Sequence, residues 1–256
     1  MSSIAIANAL IVFGCVFGGA LLGMFLRAAL PEHHLSEKSY NIIKLGMGLI
    51  GTLAVFTLGL MIAGAQSSYR EQRSNIFQMS ANIIFLDRIL ADYGPETKEA
   101  RDLLRRSVVR MLDQIWPADS SKPAQLDPTE ARGGFLYNKI QSLTPHSDAQ
   151  RSLQAQALSL AFNLVQTRFL MFTQQVKSIP VPFLILMGLL LFWFTSIFFS
   201  FGLYAPTNAT VIATLFVAAL SVSGAIYLMV ALNLPFEGLL RMPSEPLRIA
   251  LAHLGQ

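Results

Sequence analysis

The sequence contains few side chains that could do chemistry. It lacks the motifs of nucleotide loops, zinc peptidases, nucleophile elbows and redox dithiols. Its one histidine cluster is His33-His34, beside Glu32 and Glu37, whereas a metal site needs three or four ligands in tetrahedral reach. An exposed polar loop is the better interpretation. The single cysteine, Cys15, excludes a disulfide framework. We therefore predict a protein that is not an enzyme, with no catalytic residue, metal site or cofactor.

The remaining candidates are small uncharged residues at helical spacing. One set shares a helix face and could line a pore or pack on a neighbouring helix, which is the commoner role: Gly48, Thr52, Val55, Gly59 and Ile62. A second set forms two GxxxG pairs, a spacing that lets helix backbones approach closely: Gly14 with Gly18, and Gly19 with Gly23.

These residues lie in long uncharged stretches. The chain has 256 residues, 53% hydrophobic and 13% charged, and its charges are absent from 1–26, 45–69 and 178–236. A bilayer core of about 30 Å needs roughly 20 apolar residues as a helix. We predict four transmembrane helices, at 4–26, 45–65, 181–203 and 209–232. The first is interpreted as an uncleaved span, because no positive region precedes its apolar run.

The charges concentrate between the two predicted hairpins. Residues 70–177 hold 14 Lys/Arg and 11 Asp/Glu, the density of a soluble domain. No strand-like alternation appears, so the predicted fold is all-α. We predict a transmembrane hairpin (1–66), a helical cytoplasmic insert (67–178), a second hairpin (179–234) and a cytoplasmic tail (235–256). Six Lys/Arg flank the spans on the insert side and three on the other, which places the insert and both termini in the cytoplasm.

Within the insert, a 3-4 repeat from Ile76 to Tyr93 predicts a helix–helix seam that continues the second span. Gly94-Pro95 then predicts a break between helices. A long helix is expected from about 147 to 178. Its predicted core stripe is Leu158, Phe162, Val165, Phe169, Phe172 and Val176. The helix after the Gly94-Pro95 break carries four arginines: Arg101, Arg105, Arg106 and Arg110. They form either a solvated helix face, which is the favoured interpretation, or a patch that binds an anion or a lipid headgroup.

The predicted spans contain no ionisable residue, which disfavours proton-coupled pumps and voltage sensors. A passive pore needs no such charge, because hydrophobic constrictions can gate by dewetting. The net charge of +4 comes from scattered residues with no basic stripe, so a nucleic-acid partner is not expected.

Four motifs resemble the bestrophin-like membrane proteins: residues 87–96 (DRILADYGPE), 178–183 (SIPVPF), 201–210 (FGLYAPTNAT) and 235–239 (PFEGL). The resemblance implies a pentameric anion channel whose pore is lined by the second span, with Phe56 matching a pore aromatic. It also implies a corner motif after the last span, formed by Pro235, Phe236, Glu237 and Gly238. Thr207 stands where family members often have arginine. Bestrophins carry a calcium-linked acidic cluster after the corner, whereas this chain has only Glu237, within the corner, and Glu245 beyond it, so calcium gating is not supported.

Two functions stay open. The first is an oligomeric passive anion channel of the cell membrane, a homo-oligomer in the bilayer. The alternative is a non-conducting membrane scaffold or sensor that acts through its cytoplasmic insert.

Overall fold

The computed structural model describes residues 3–29, 37–117, 134–176, 181–233 and 240–255. Within these ranges it is helical, without strands, which confirms the all-α prediction. The helices are α1 (Ser3–Ala29), α2 (Glu37–Tyr93), α3 (Lys98–Ile115), α4 (Gly134–Gln141), α5 (Asp148–Val176), α6 (Val181–Tyr204), α7 (Ala209–Leu232) and α8 (Glu245–His253).

The described residues divide into two compact units. The apolar unit comprises those within 2–68 and 179–234, and the charged unit those within 69–178 and 235–256. Each unit has its own cluster of buried apolar side chains. The long helix α2 contributes to both clusters.

Four of the described helices are long and apolar enough to cross a membrane: α1, α2, α6 and α7. In the apolar unit α1 packs against α6 and α7. Val16, Ala20, Leu190 and Ile226 are fully buried there. After the turn between α6 and α7, the side chain of Asn208 accepts a hydrogen bond from the Val211 backbone N–H and caps α7.

Helix α2 is continuous over 57 residues, roughly 85 Å at 1.5 Å per residue. No proline or glycine interrupts it beyond Gly64. It ends at Gly94, whose φ of 137° is one that residues with a Cβ rarely adopt. The predicted seam is buried as expected: Ile76, Met79, Ile83, Leu86, Leu90 and Tyr93 are at most 4% exposed.

The predicted core stripe of α5 is wrong in part. Phe162 and Phe169 are 60% and 54% exposed, while Ala157, Ala161 and Met171 are buried. Side-chain size is the physical reason, because the two buried alanines let α5 approach its neighbours more closely than phenylalanine would. The side chains of Phe172 and Val176 lie outside the described residues.

The described part of the tail (240–255) belongs to the charged unit. Helix α8 packs against α3, and Leu247, Ala250 and Leu254 are buried. The Trp116 indole N–H donates to the Met242 carbonyl at 2.8 Å, and Arg241 donates to the Ile115 carbonyl at 3.2 Å.

Candidate functional site

The uncharged face of α2 lies largely uncovered by the rest of the described chain. Val55 and Phe56 are each 65% exposed. A Cβ added at Gly48 or Gly59 would meet no atom within 4 Å. The Thr52 hydroxyl donates to the Gly48 carbonyl at 3.0 Å, so its proton is bonded within the helix and its lone pairs remain available as acceptors.

A different face of α2 packs inside the apolar unit. Ala54, Leu58, Met61 and Ala65 are buried, about a third of a turn from the exposed face. Ile62 lies at the border and packs partly against the core. In the most apolar 18-residue stretch of α2, 11% of the residues are buried, against 22–39% in the corresponding stretches of the other three long helices. Of these four helices, α2 is therefore the least covered by its own chain.

Small residues bring α1 and α6 into backbone contact. A Cβ on Gly19 would lie 3.0 Å from Cγ2 of Thr195, and one on Gly23 would overlap the Phe199 carbonyl oxygen. On the facing helix, a Cβ on Gly202 would overlap the Ala20 carbonyl oxygen.

The predicted glycine pairs therefore separate. Gly19 and Gly23 contact α6, whereas a Cβ on Gly14 or Gly18 would meet no atom within 4 Å. Sequence reasoning missed Gly202, whose only signal is a lone small residue among bulky ones in FFSFGLY.

At the end of α1, Arg27 closes the same helix pair. Its Nη1 donates to the carbonyls of Tyr204 and Ala205 at the C-terminus of α6. These carbonyls lack helical partners and carry the negative end of the helix dipole, so the guanidinium satisfies both. Arg27 lies within the last turn of α1.

A buried ion pair that the sequence did not reveal lies in the described part of the charged unit. Arg101 Nε and Nη2 donate to the two oxygens of Asp87, each at 2.8 Å, and the Asp87 side chain is 7% exposed. The Gly255 backbone N–H donates to the same carboxylate at 3.1 Å. Asp87 is an acidic residue within the apolar seam of α2, and that position is the signal that could have indicated a partner.

These contacts set the protonation of Asp87 and Arg101. Both residues lie outside the predicted membrane-spanning segments. Burial raises the pKa of the Asp87 carboxyl. The hydrogen bonds from Arg101 and Gly255, with the Arg101 charge, outweigh burial and hold that pKa below its ordinary value. The hydrogen bond to Asp87 correspondingly raises the pKa of Arg101. Both groups are therefore charged at neutral pH.

Two sets of residues singled out in the sequence cannot be placed. The corner motif (Pro235, Phe236, Glu237 and Gly238) and His33-His34 lie outside the described residues. Within the described ranges, no three histidine, cysteine or acidic side chains are grouped as a metal site would require.

Comparison with known proteins identifies the family. The family profile described as "Bestrophin-like domain" matches residues 14–247, which is most of the chain. Curated proteins and solved structures gave no match. The matched region includes α1 from residue 14 onward, all of α2, α6 and α7, the residues between α2 and α6, and the tail up to residue 247. The chain is therefore a membrane protein that belongs to the bestrophin-like family.

Proposed function

We propose that this protein is an oligomeric passive anion channel in which α2 lines the pore. One observation supports it above the others: α2 presents a face of small, uncharged residues that its own chain leaves open. A helix that lines a water-filled path must leave such a face uncovered. The absence of charge on this face fits a pore that gates by dewetting. The proposed anion selectivity is supported only by the membership of the bestrophin-like family.

The proposed topology has four spans, at 4–26, 45–65, 181–203 and 209–232. Helix α2 is far longer than the roughly 20 residues that a bilayer requires, so only its uncharged portion would cross. The insert (67–178), the tail (235–256) and both termini would be cytoplasmic, because Lys and Arg are more numerous near the span ends on that side. The chain would assemble as a homo-oligomer, a pentamer if it follows the bestrophins, in the cell membrane.

Within α2, the proposed pore-lining residues are Gly48, Thr52, Val55, Phe56, Gly59 and Ile62. Thr52 is the one hydroxyl in this set. Its lone pairs could accept hydrogen bonds from the water that accompanies a passing ion.

Chloride efflux from proteoliposomes tests the proposal. The purified protein is reconstituted, and efflux is compared for the wild type, Gly59→Phe and Gly224→Phe. Both glycines are exposed, and a Cβ added at either would meet no atom within 4 Å, so the two positions are matched in the space at the start of a side chain. Gly59 belongs to the proposed pore-lining set, and Gly224 lies on another helix, α7.

We expect wild-type flux above that of empty liposomes, a loss of most of it in Gly59→Phe, and near wild-type flux in Gly224→Phe. Monodisperse wild-type oligomers that pass neither chloride nor another anion across pH would exclude the channel. Equal loss in both variants would exclude α2 as the specific pore lining.

The non-conducting scaffold remains the second candidate. The exposed aromatic side chains of the charged unit, such as Phe85 and Phe162, each 60% exposed, could contact a partner protein in a scaffold, and they fit a homo-oligomer equally. The assembly state separates the two. A ring with a water path along α2 supports the channel, and a monomer, or a dimer joined through Gly14 and Gly18 of α1, supports the scaffold.

A further inference from the structure

A cavity of about 390 Å³ lies within the charged unit, between the α2–α3 turn and the tail. Asp87 of α2, Lys98, Arg101 and Arg105 of α3, and Leu254 and Gly255 of the tail lie around it. The volume is in the range of small-molecule sites and exceeds what a bare ion fills.

The cationic side chains of this cavity are not equivalent. Arg101 already donates two hydrogen bonds of 2.8 Å to the Asp87 carboxylate. Arg105 contributes one Nη1–H to the Leu254 carbonyl at 3.4 Å, which is long for such a bond. Lys98 forms no ion pair within the ranges that the structure describes. Two cationic groups therefore have donors to spare.

The carboxylates that line the cavity do not cancel these charges. Besides Asp87, the lining contains Asp102 alone among acidic side chains, so lining cations outnumber lining carboxylates by one. Glu96 lies outside the lining, with a carboxylate oxygen beside Gly94. The cavity also adjoins the start of α3, where the helix dipole favours negative charge. An anionic group would complete the charge balance.

We propose that this cavity binds a phosphate or carboxylate group of a small organic anion, held by Lys98 and Arg105. The planar guanidinium of Arg105 can donate two parallel hydrogen bonds to an oxyanion, and the Lys98 ammonium adds a point charge. Because the Leu254 and Gly255 backbone lines the same cavity, a bound anion would also join the tail to α3. The basic set is thus divided, since Arg106 and Arg110 lie outside this cavity. The inference does not depend on conduction.

Thermal unfolding of the full-length protein tests the site, with inorganic phosphate as the soluble probe. The double variant Lys98→Gln/Arg105→Gln removes both proposed ligands and leaves the Asp87–Arg101 pair intact. Arg106→Gln is the matched control, because it removes an exposed arginine of the same helix outside the cavity. Phosphate is compared with chloride at equal ionic strength, since phosphate also stabilises proteins by exclusion from their surfaces.

We expect phosphate to raise the Tm of the wild type and of Arg106→Gln above the chloride reference. The double variant should bind about tenfold more weakly or worse, since each lost charge-assisted bond is strong. Its Tm without phosphate should match that of the wild type, which separates loss of binding from loss of folding.

A second arm distinguishes the source of the phosphate group. The wild type and the double variant are unfolded in nanodiscs of phosphatidylcholine with or without phosphatidic acid. Selective protection of the wild type by phosphatidic acid alone identifies a lipid headgroup, and protection by free phosphate identifies a soluble ligand. Protection by neither probe, or equal protection of the double variant, would overturn the proposal.

Discussion

Among the glycines of the described residues, Gly202 leaves the least space for a side chain. Its α-carbon faces the Ala20 carbonyl so closely that no side chain fits without separating α1 from α6. Gly188 lies on the same helix and would meet no atom within 4 Å if a Cβ were added. The two positions are therefore matched in residue type and helix but opposite in packing.

We expect Gly202→Ala to lower the stability of the detergent-solubilised protein by about 1–3 kcal/mol, the usual cost of overpacking. Gly188→Ala should be neutral or slightly stabilising, because alanine favours helix over glycine. Thermal unfolding of both variants measures the difference. An equal effect at both positions would mean that the α1–α6 backbone contact does not limit stability.

A second contrast concerns two aspartates of α2. Asp87 is buried and bonded to Arg101, whereas Asp92 forms an exposed pair with Arg88 at 3.7 Å. We expect Asp87→Asn to cost about 2–3 kcal/mol, somewhat less than a fully buried pair, because the Arg101 side chain stays 25% exposed. Asp92→Asn should cost at most about 0.5 kcal/mol. Chemical denaturation measures the free energy of unfolding of both variants. Similar losses of stability would contradict the assignment of Asp87 as the buried, stabilising partner of Arg101.

The depressed pKa of Asp87 also predicts a pH dependence. A carboxyl whose pKa is lower in the folded state contributes stability above its unfolded pKa of about 3.9. That contribution is lost as the pH falls through the folded value. The stability difference between the wild type and Asp87→Asn should therefore be constant from pH 7 to 5 and shrink below about pH 4. A difference that grows on acidification would show that the carboxylate does not stabilise the folded state.

At the scale of helices, periodicity and turn chemistry predicted much of what the structure contains. The α2 seam and the Gly94-Pro95 break follow from local rules of spacing and capping. The buried face of α5 does not follow from such rules. Helix α5 carries apolar residues on several sides, and the side that is buried depends on how neighbouring helices pack against it. The Asp87–Arg101 pair and the contact at Gly202 join segments far apart in sequence, so spacing alone could not predict them.

The tail helix gives a test at this scale. Leu247 of α8 is completely buried, while Ile249, two residues on, is 48% exposed. We expect Leu247→Ala to cost about 2–5 kcal/mol through lost burial and the cavity it leaves. Ile249→Ala should cost much less. Limited proteolysis and thermal unfolding would measure both, and a small effect of Leu247→Ala would mean that the tail is not required for the stability of the charged unit.

At the scale of the whole molecule, the exposed aromatic side chains of the charged unit need an explanation. Phe77 and Phe85 of α2, and Phe162 and Phe169 of α5, are 49–60% exposed. A lipid environment would explain such exposure in the apolar unit but not in a unit proposed to lie in water. A second copy of the chain is the occupant that the proposed oligomer supplies.

We therefore expect a detergent-solubilised mass several times the 28.1 kDa of one chain, fivefold for a pentamer. The double variant Phe162→Ser/Phe169→Ser should lower that mass while keeping its helical content. Phe135→Ser is the control, since Phe135 is 85% exposed on another helix. Light scattering with circular dichroism measures both properties, and an unchanged mass would remove these phenylalanines from the interface.

The contact at Gly202 also constrains how this sequence can diverge. Any missense change of a glycine codon adds a Cβ, so codon 202 has no conservative neighbour, whereas codon 188 has several. A substitution at 202 can persist in a lineage only alongside a change that moves the Ala20 backbone away. Helices α1 and α6, separated by more than 150 residues of chain, are therefore expected to evolve as one unit at this contact.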